Sequence, residues 1–73
     1  MKALMLKVDD VQLGTIHYFA RSSGVSPTLV EVFAVDEGLV PKHLLYEGTR
    51  YDLYVASEID LVIASIRAAQ QIL

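Results

Sequence analysis

The chain has 73 residues, a net charge of −3 and no cysteine, and 53% of its residues are hydrophobic. This length allows a single domain over residues 1–73, and the lack of thiols excludes a disulfide framework and a thiolate metal site. The negative charge gives no general attraction to nucleic acid, and one small core cannot hide so many apolar residues, so a protein partner or self-association is expected.

The apolar residues are not arranged for insertion into a membrane. No apolar run reaches the roughly 18 residues that cross a bilayer. The first residues do not resemble a secretory signal, because Lys7 interrupts the short apolar run ALML. We therefore expect no membrane partner and a cytoplasmic location.

The first predicted element is a leading strand over Lys2 to Val8, where the sequence KALMLKV alternates loosely. Asp9-Asp10 either ends this strand or caps the next element. Val11 to Gly14 is expected to lead into a helix, with Thr15 as its N-cap.

Two short helices joined by a tight corner are predicted between Thr15 and Gly38. Gly24 stands at the corner, where a residue without Cβ takes a left-handed backbone at no steric cost. Ser26 is expected to cap the second helix with its side chain, and Pro27 fits its first turn. One apolar face of the first helix is indicated by the spacing of Ile16, Phe19 and Ala20.

The segment Thr28 to Val35 is ambiguous. Its β-branched and aromatic residues favour a strand. The Ser-Pro start favours a helix, as does the placement of Leu29, Val32 and Phe33 on one helical face. We interpret the segment as a helix; a strand would remove the helix-turn-helix pattern.

A β-hairpin is predicted after Pro41, because two short apolar runs flank Glu47-Gly48-Thr49. Following two helices, such a hairpin has the position of a wing. The residues expected within its arms are Leu45, Tyr51, Leu53 and Val55.

A last, amphipathic helix is predicted from Glu58 to Leu73, with Ser57 as its N-cap. Two apolar stripes run along it. The core stripe contains Ile59, Val62, Ile63, Ile66 and Leu73, and the flanking stripe contains Leu61, Ala64, Ala68 and Ile72. Either the helix is buried on two sides, or its flanking stripe faces a partner.

The order of these elements resembles the MerR-type winged-helix domain, an α+β fold, from about Thr15 to Gln71. The resemblance rests on four segments in order: TIHYFARSSGVSP, EGLVP, YDLY and IRAAQ. It implies promoter binding as a dimer, with the second helix in the major groove and the wing on the DNA backbone.

The DNA-reading positions depart from that family. Val30 and Glu31 follow the Thr-Leu pair, where the family normally carries arginine, and Asp52 stands at the arginine position of the wing. Between Gly24 and Gly38 there are acidic residues and no Lys or Arg. Carboxylates in these places repel phosphate.

The CbpM-type chaperone modulators, a branch of the same family, are more similar to this chain. They resemble a MerR domain that binds the J-domain of a DnaJ-like co-chaperone instead of DNA. The resemblance rests on Thr15-Ile16, Phe19 and Gly24-Val25-Ser26, and on a strand directly before the first helix. A basic J-domain face would suit an acidic, apolar module.

Catalytic and metal-binding patterns are not indicated. His17 and His43 are far apart in sequence and have no neighbouring ligand at metal spacing. The pairs Asp9-Asp10 and Asp36-Glu37 are typical of element ends. We therefore expect neither an enzyme nor a cofactor.

Two functional hypotheses emerge, each with its own residues. The first is a non-enzymatic regulatory module that binds a protein partner through Glu31, Val35, Asp36, Leu61, Ala68 and Ile72. The alternative, which the charge disfavours, is a sequence-specific DNA-binding regulator that uses Ser26, Thr28, Lys42, Arg50 and Tyr51. A third possibility is a domain that only self-associates.

Overall fold

A computed structural model of the chain describes residues 3–71, which form a small α+β fold. Three helices and four strands lie within this range. They are β1 (Met5–Val8), β2 (Val11–Gly14), α1 (Ile16–Ser23), α2 (Pro27–Asp36), β3 (Lys42–Tyr46), β4 (Thr49–Val55) and α3 (Ala56–Gln71). The strands make one antiparallel sheet in the order β1-β2-β4-β3. The predicted α+β class is confirmed, whereas the predictions for Lys2, Ile72 and Leu73 lie outside the described residues.

The leading segment is a β-hairpin rather than one strand with a lead-in. Val11–Gly14 forms β2, which pairs with β1 in a register that places Val8 opposite Val11. Asp9 and Asp10 make the turn with φ angles of 50° and 65°. Two positive φ angles match the twist of a two-residue hairpin, and aspartate tolerates this region better than most residues. The prediction missed the turn because it treated the two aspartates as a strand end or a cap.

The helix pair is confirmed, including the helical conformation of α2. Thr15 caps α1 as predicted: its Oγ1 accepts hydrogen bonds from the N–H of Tyr18 at 3.2 Å and of Leu4 at 3.1 Å. Gly24 closes α1 at φ 75°, and its N–H donates to the carbonyl of Ala20 at 2.8 Å. Ser26 occupies the N-cap position of α2 but makes no side-chain cap hydrogen bond, so that part of the prediction is wrong.

The second hairpin joins β3 to β4, as predicted, through Glu47 and Gly48 at φ 49° and 77°. Helix α3 begins at Ala56, the residue directly after β4. Ser57 is therefore the second residue of the helix and not its N-cap. Within residues 3–71, no helix combines the length and apolar character needed to cross a membrane.

The core lies where α1, α2 and α3 meet one face of the sheet. Its buried cluster contains Phe19, Ala20, Val25, Val30, Ala34, Tyr54, Ile59, Val62, Ile63 and Ile66. Four members of the predicted core stripe of α3 are thus confirmed. The buried face of α2 contains Val30 and Ala34, and Leu29 and Phe33 are partly buried beside it. Val32, which shares a helical face with Leu29 and Phe33, is 56% exposed.

Candidate functional site

An open groove of about 600 Å³ lies between the first turns of α1 and α2 and the outer half of β4. Thr15, one of the residues at this groove, caps α1 and also accepts the Leu4 N–H, so its side chain ties the start of α1 to the backbone just before β1. We call it the β4 groove. Its lining residues are Thr15, Ile16, His17, Pro27, Thr28, Glu31, Thr49, Arg50, Tyr51, Asp52 and Tyr54.

Two charged residues of the β4 groove lining, Arg50 and Asp52, lie close to each other and to His43. His43 Nδ1 lies 2.7 Å from Asp52 Oδ1, and Arg50 Nε lies 3.8 Å from the same oxygen. A carboxylate only accepts hydrogen bonds, so the Nδ1 proton is on His43 and donates to Asp52. The guanidinium of Arg50, whose Nη2 is 3.1 Å from Nδ1, therefore lies alongside the ring. Arg50 thus lies beside His43 and Asp52, although its side chain is 68% exposed.

The pKa of Tyr54, which lines the β4 groove, is affected by the negative charges there. Burial raises the pKa of Tyr54 above its usual range, and the charges of Asp52 and Glu31 raise it further. Both carboxylates therefore act on the same point of the groove floor. A phosphate placed there would meet the same repulsion.

The outer face of α2 combines valines with carboxylates. Thr28, Glu31, Val32 and Val35 recur at helical spacing and are all exposed, with Val32 at 56% and Val35 at 69%. Asp36 is exposed at the end of the same helix. No Lys or Arg occurs anywhere in α2. This face offers hydrophobic contact and negative charge together.

The residues of the DNA hypothesis are divided between two sides of the hairpin. Thr28, Arg50 and Tyr51 line the β4 groove, together with Glu31 from the protein-binding hypothesis. Lys42 pairs with Leu53 and Arg50 with Leu45, so alternation along the strands points the two cations to opposite faces. Ser26 is exposed at the start of α2 and is not among the groove residues. Lys42 and Arg50 therefore do not share one basic face.

A second groove, of about 530 Å³, contains Lys42. Its apolar residues are Leu39, Val40, Val55 and Leu61, and its charged residues are Glu37, Lys42 and Glu58. We call it the Val40–Leu61 surface.

The flanking stripe of α3 is open to solvent. Leu61 is 68% exposed, and Ala64 and Ala68 are exposed as well. These exposed fractions contradict the alternative in which α3 is buried on two sides within one chain. Ile72, the remaining member of the predicted partner-binding set, lies outside the described residues.

Sequence reasoning missed two features of these surfaces. Val40 is 80% exposed beside Leu61, which only the path of the chain after Gly38 reveals. The cluster of His43, Arg50 and Asp52 depends on strand register. His43 and Asp52 are nine residues apart in sequence. A two-residue turn at Glu47-Gly48 places them opposite each other in the hairpin, so an assignment of that turn from the sequence would have predicted the pair.

Metal-binding geometry is not present in residues 3–71, where no cluster of three or more His, Asp or Glu could hold an ion. Comparisons of the chain with family models, with curated proteins and with solved structures found no match. The features that bear on function are therefore the β4 groove, the outer face of α2 and the Val40–Leu61 surface.

Proposed function

We propose that this chain is a MerR-like winged-helix domain acting as a small, non-enzymatic regulatory module that binds a protein partner. The order hairpin, helix, helix, hairpin, helix supports that assignment, as does the glycine corner between α1 and α2. In this arrangement β3 and β4 are the wing, and α2 is the helix that would face DNA in a DNA-binding member.

The exposed face of α2 is the observation that carries the proposal. A helix that reads DNA presents cations and hydrogen-bond donors to phosphates and base edges. This one presents Val32, Val35, Glu31 and Asp36. Exposed valines beside carboxylates are suited to an apolar contact with a basic rim, which is the chemistry of a protein interface.

The partner we propose is the J-domain of a DnaJ-like co-chaperone, which would make the chain a CbpM-like modulator. The support is the resemblance of Thr15-Ile16, Phe19 and Gly24-Val25-Ser26 to that branch, and the charge of the α2 face. A basic J-domain surface would meet Glu31 and Asp36 while Val35 supplies the apolar contact.

Calorimetric titration with an isolated J-domain tests this proposal. Val35→Asp should weaken binding by about 10-fold or more, because a charge replaces an apolar contact near the centre of the interface. Val8→Asp is the matched control, since Val8 is 50% exposed on β1 and should leave the affinity unchanged. Absence of J-domain binding by the wild-type chain, or equal loss in both variants, would overturn the assignment.

DNA binding remains the alternative, and one observation favours it. Thr28, Arg50 and Tyr51 share the β4 groove with the first turns of two helices, whose dipoles add partial positive charge. Glu31 and Asp52 in the same groove oppose it. Anisotropy with labelled duplex at about 150 mM salt separates the two functions, because phosphate contacts give a steep salt dependence. Steep dependence together with loss of affinity in Arg50→Ala would establish the alternative.

A further inference from the structure

The β4 groove adjoins the outer face of α2. Glu31 belongs to both surfaces, because it is exposed on the helix and also lines the groove. Pro27 and Thr28, about one turn earlier on the same side of α2, line the groove as well. A protein that docks on the outer face of α2 therefore has the opening of the groove beside it, and one of its side chains can enter.

Two carboxylates line the groove from different elements, Glu31 from α2 and Asp52 from β4. The ion pairs formed among residues 3–71 do not include Glu31, and the contacts of Asp52 with His43 and Arg50 both use Oδ1. After burial, the charges of Asp52 and Glu31 are what raise the pKa of Tyr54, and no neighbouring cation lowers it. Both carboxylates therefore lie near one part of the groove, where a positive charge would be stabilised.

The rest of the lining suits the stem of a long basic side chain. Ile16, Pro27, Tyr51 and Tyr54 contribute apolar surface to the groove. Lysine and arginine bury their methylene groups along such surface while the charged head reaches an acceptor, and either head can also rest on an aromatic ring. An apolar or acidic side chain in the same place would leave Glu31 without a partner. The chemistry of the groove therefore selects a basic side chain.

We propose that the β4 groove takes one lysine or arginine side chain of the protein partner, with its charged head at Glu31 and Asp52. The inference rests on the proposed function and adds a contact on β4 to the contact on α2. The outer face of α2 supplies the apolar part of the interface. The groove adds the requirement for a basic side chain at one position of the partner.

Calorimetric titration with an isolated J-domain tests the contact on β4. Asp52→Asn and Glu31→Gln should each raise the dissociation constant by about 5-fold, because each removes one charge that attracts the same cation. The variant with both changes should lose less than the product of the two losses, since the two carboxylates act on one group. Asp9→Asn, the same change of charge at the turn of the first hairpin, is the matched control and should leave the affinity unchanged. Circular dichroism should show the wild-type helix content for every variant.

A small cation tests the groove without the J-domain. We expect N-acetyl-arginine amide to shift the NMR signals of Thr28 and Tyr54 in the wild-type chain. N-acetyl-citrulline amide has nearly the same shape without the charge and should shift them much less. The shifts caused by the arginine compound should disappear in the variant with both Glu31→Gln and Asp52→Asn.

The two measurements separate failure of this inference from failure of the proposed function. A J-domain that binds the wild-type chain and is weakened by Val35→Asp, but tolerates Asp52→Asn, overturns the inference and leaves the proposed function standing. A J-domain that does not bind overturns the proposed partner, and the arginine compound then decides whether the groove holds a cation. Equal shifts with the two compounds, or shifts that persist in the variant with both changes, overturn the inference in either case.

Discussion

Replacement of Gly14 by alanine tests how closely α1 packs on the sheet. Gly14 is the last residue of β2 and is buried under two aromatic side chains. A Cβ added to its backbone would lie 3.0 Å from Cε2 and Cζ of Phe19 and 3.0 Å from Cδ2 of Tyr18. Ordinary van der Waals contact between carbons needs about 3.5 to 4.0 Å. The rings would therefore have to move by several tenths of an ångström.

The rings have little room to move. Phe19 is only 5% exposed and belongs to the buried core cluster. It packs edge-to-face against Tyr18, with the ring centroids 5.2 Å apart. Overpacking of a core costs about 1 to 3 kcal/mol. Replacing glycine by alanine also stabilises a protein by about 0.4 to 1 kcal/mol, because the unfolded chain then has less conformational freedom. We expect Gly14→Ala to lower the free energy of unfolding by about 1 to 2 kcal/mol, and the Tm by about 5 to 15 °C.

Urea unfolding followed by circular dichroism measures this change. A double-mutant cycle with Phe19→Leu assigns its cause, because the shorter side chain leaves space for the new methyl group. Gly14→Ala should therefore cost less in the Phe19→Leu background than in the wild type. A neutral or stabilising Gly14→Ala, or strict additivity with Phe19→Leu, would refute the close packing of α1 on β2.

Three further predictions concern a cap, a turn and a titration. Thr15→Ala should destabilise the fold by about 1 to 2 kcal/mol in thermal or urea unfolding, because the two N–H groups that donate to Thr15 Oγ1 lose their acceptor. Thr15→Ser keeps the hydroxyl and should retain most of the stability. Glu47→Asn should raise the free energy of unfolding by about 0.5 to 1 kcal/mol, because asparagine tolerates φ 49° better than glutamate; a loss of stability would contradict the turn geometry. The pKa of Tyr54 is raised on folding, so its contribution to stability is complete below the ordinary tyrosine pKa of about 10 and is lost as the pH rises through the folded value. Stability should thus fall in the alkaline range; Tyr54→Phe should flatten that fall, and absorbance at the tyrosinate band should show one residue ionising later than the others.

Local patterns predicted the elements whose signals lie within a few residues. Thr15 and Gly24 gave the bounds of α1, and the Ser-Pro start of α2 outweighed its β-branched residues. The interior facing of α3 followed from the spacing of Ile59, Val62 and Ile66. Each of these features depends on contacts within one helix or at its ends.

Features that depend on tertiary pairing were missed or misplaced. The β1–β2 hairpin was missed because Asp9-Asp10 lacks the glycine that usually marks such a turn. The face shared by Leu29, Val32 and Phe33 indicated a helix but does not coincide with the buried face of α2, which is centred on Val30 and Ala34. Valines lie on both the buried and the exposed side of α2, so the position of its apolar residues alone does not identify the buried face.

Strand β4 passes into α3 without an intervening residue. Its outer half carries Arg50 and Asp52 at one groove, and its last residue, Val55, lies at the other. No linker residue can absorb a change in the direction of the strand. A ligand that displaces the hairpin at the β4 groove should therefore also displace the start of α3 at the Val40–Leu61 surface.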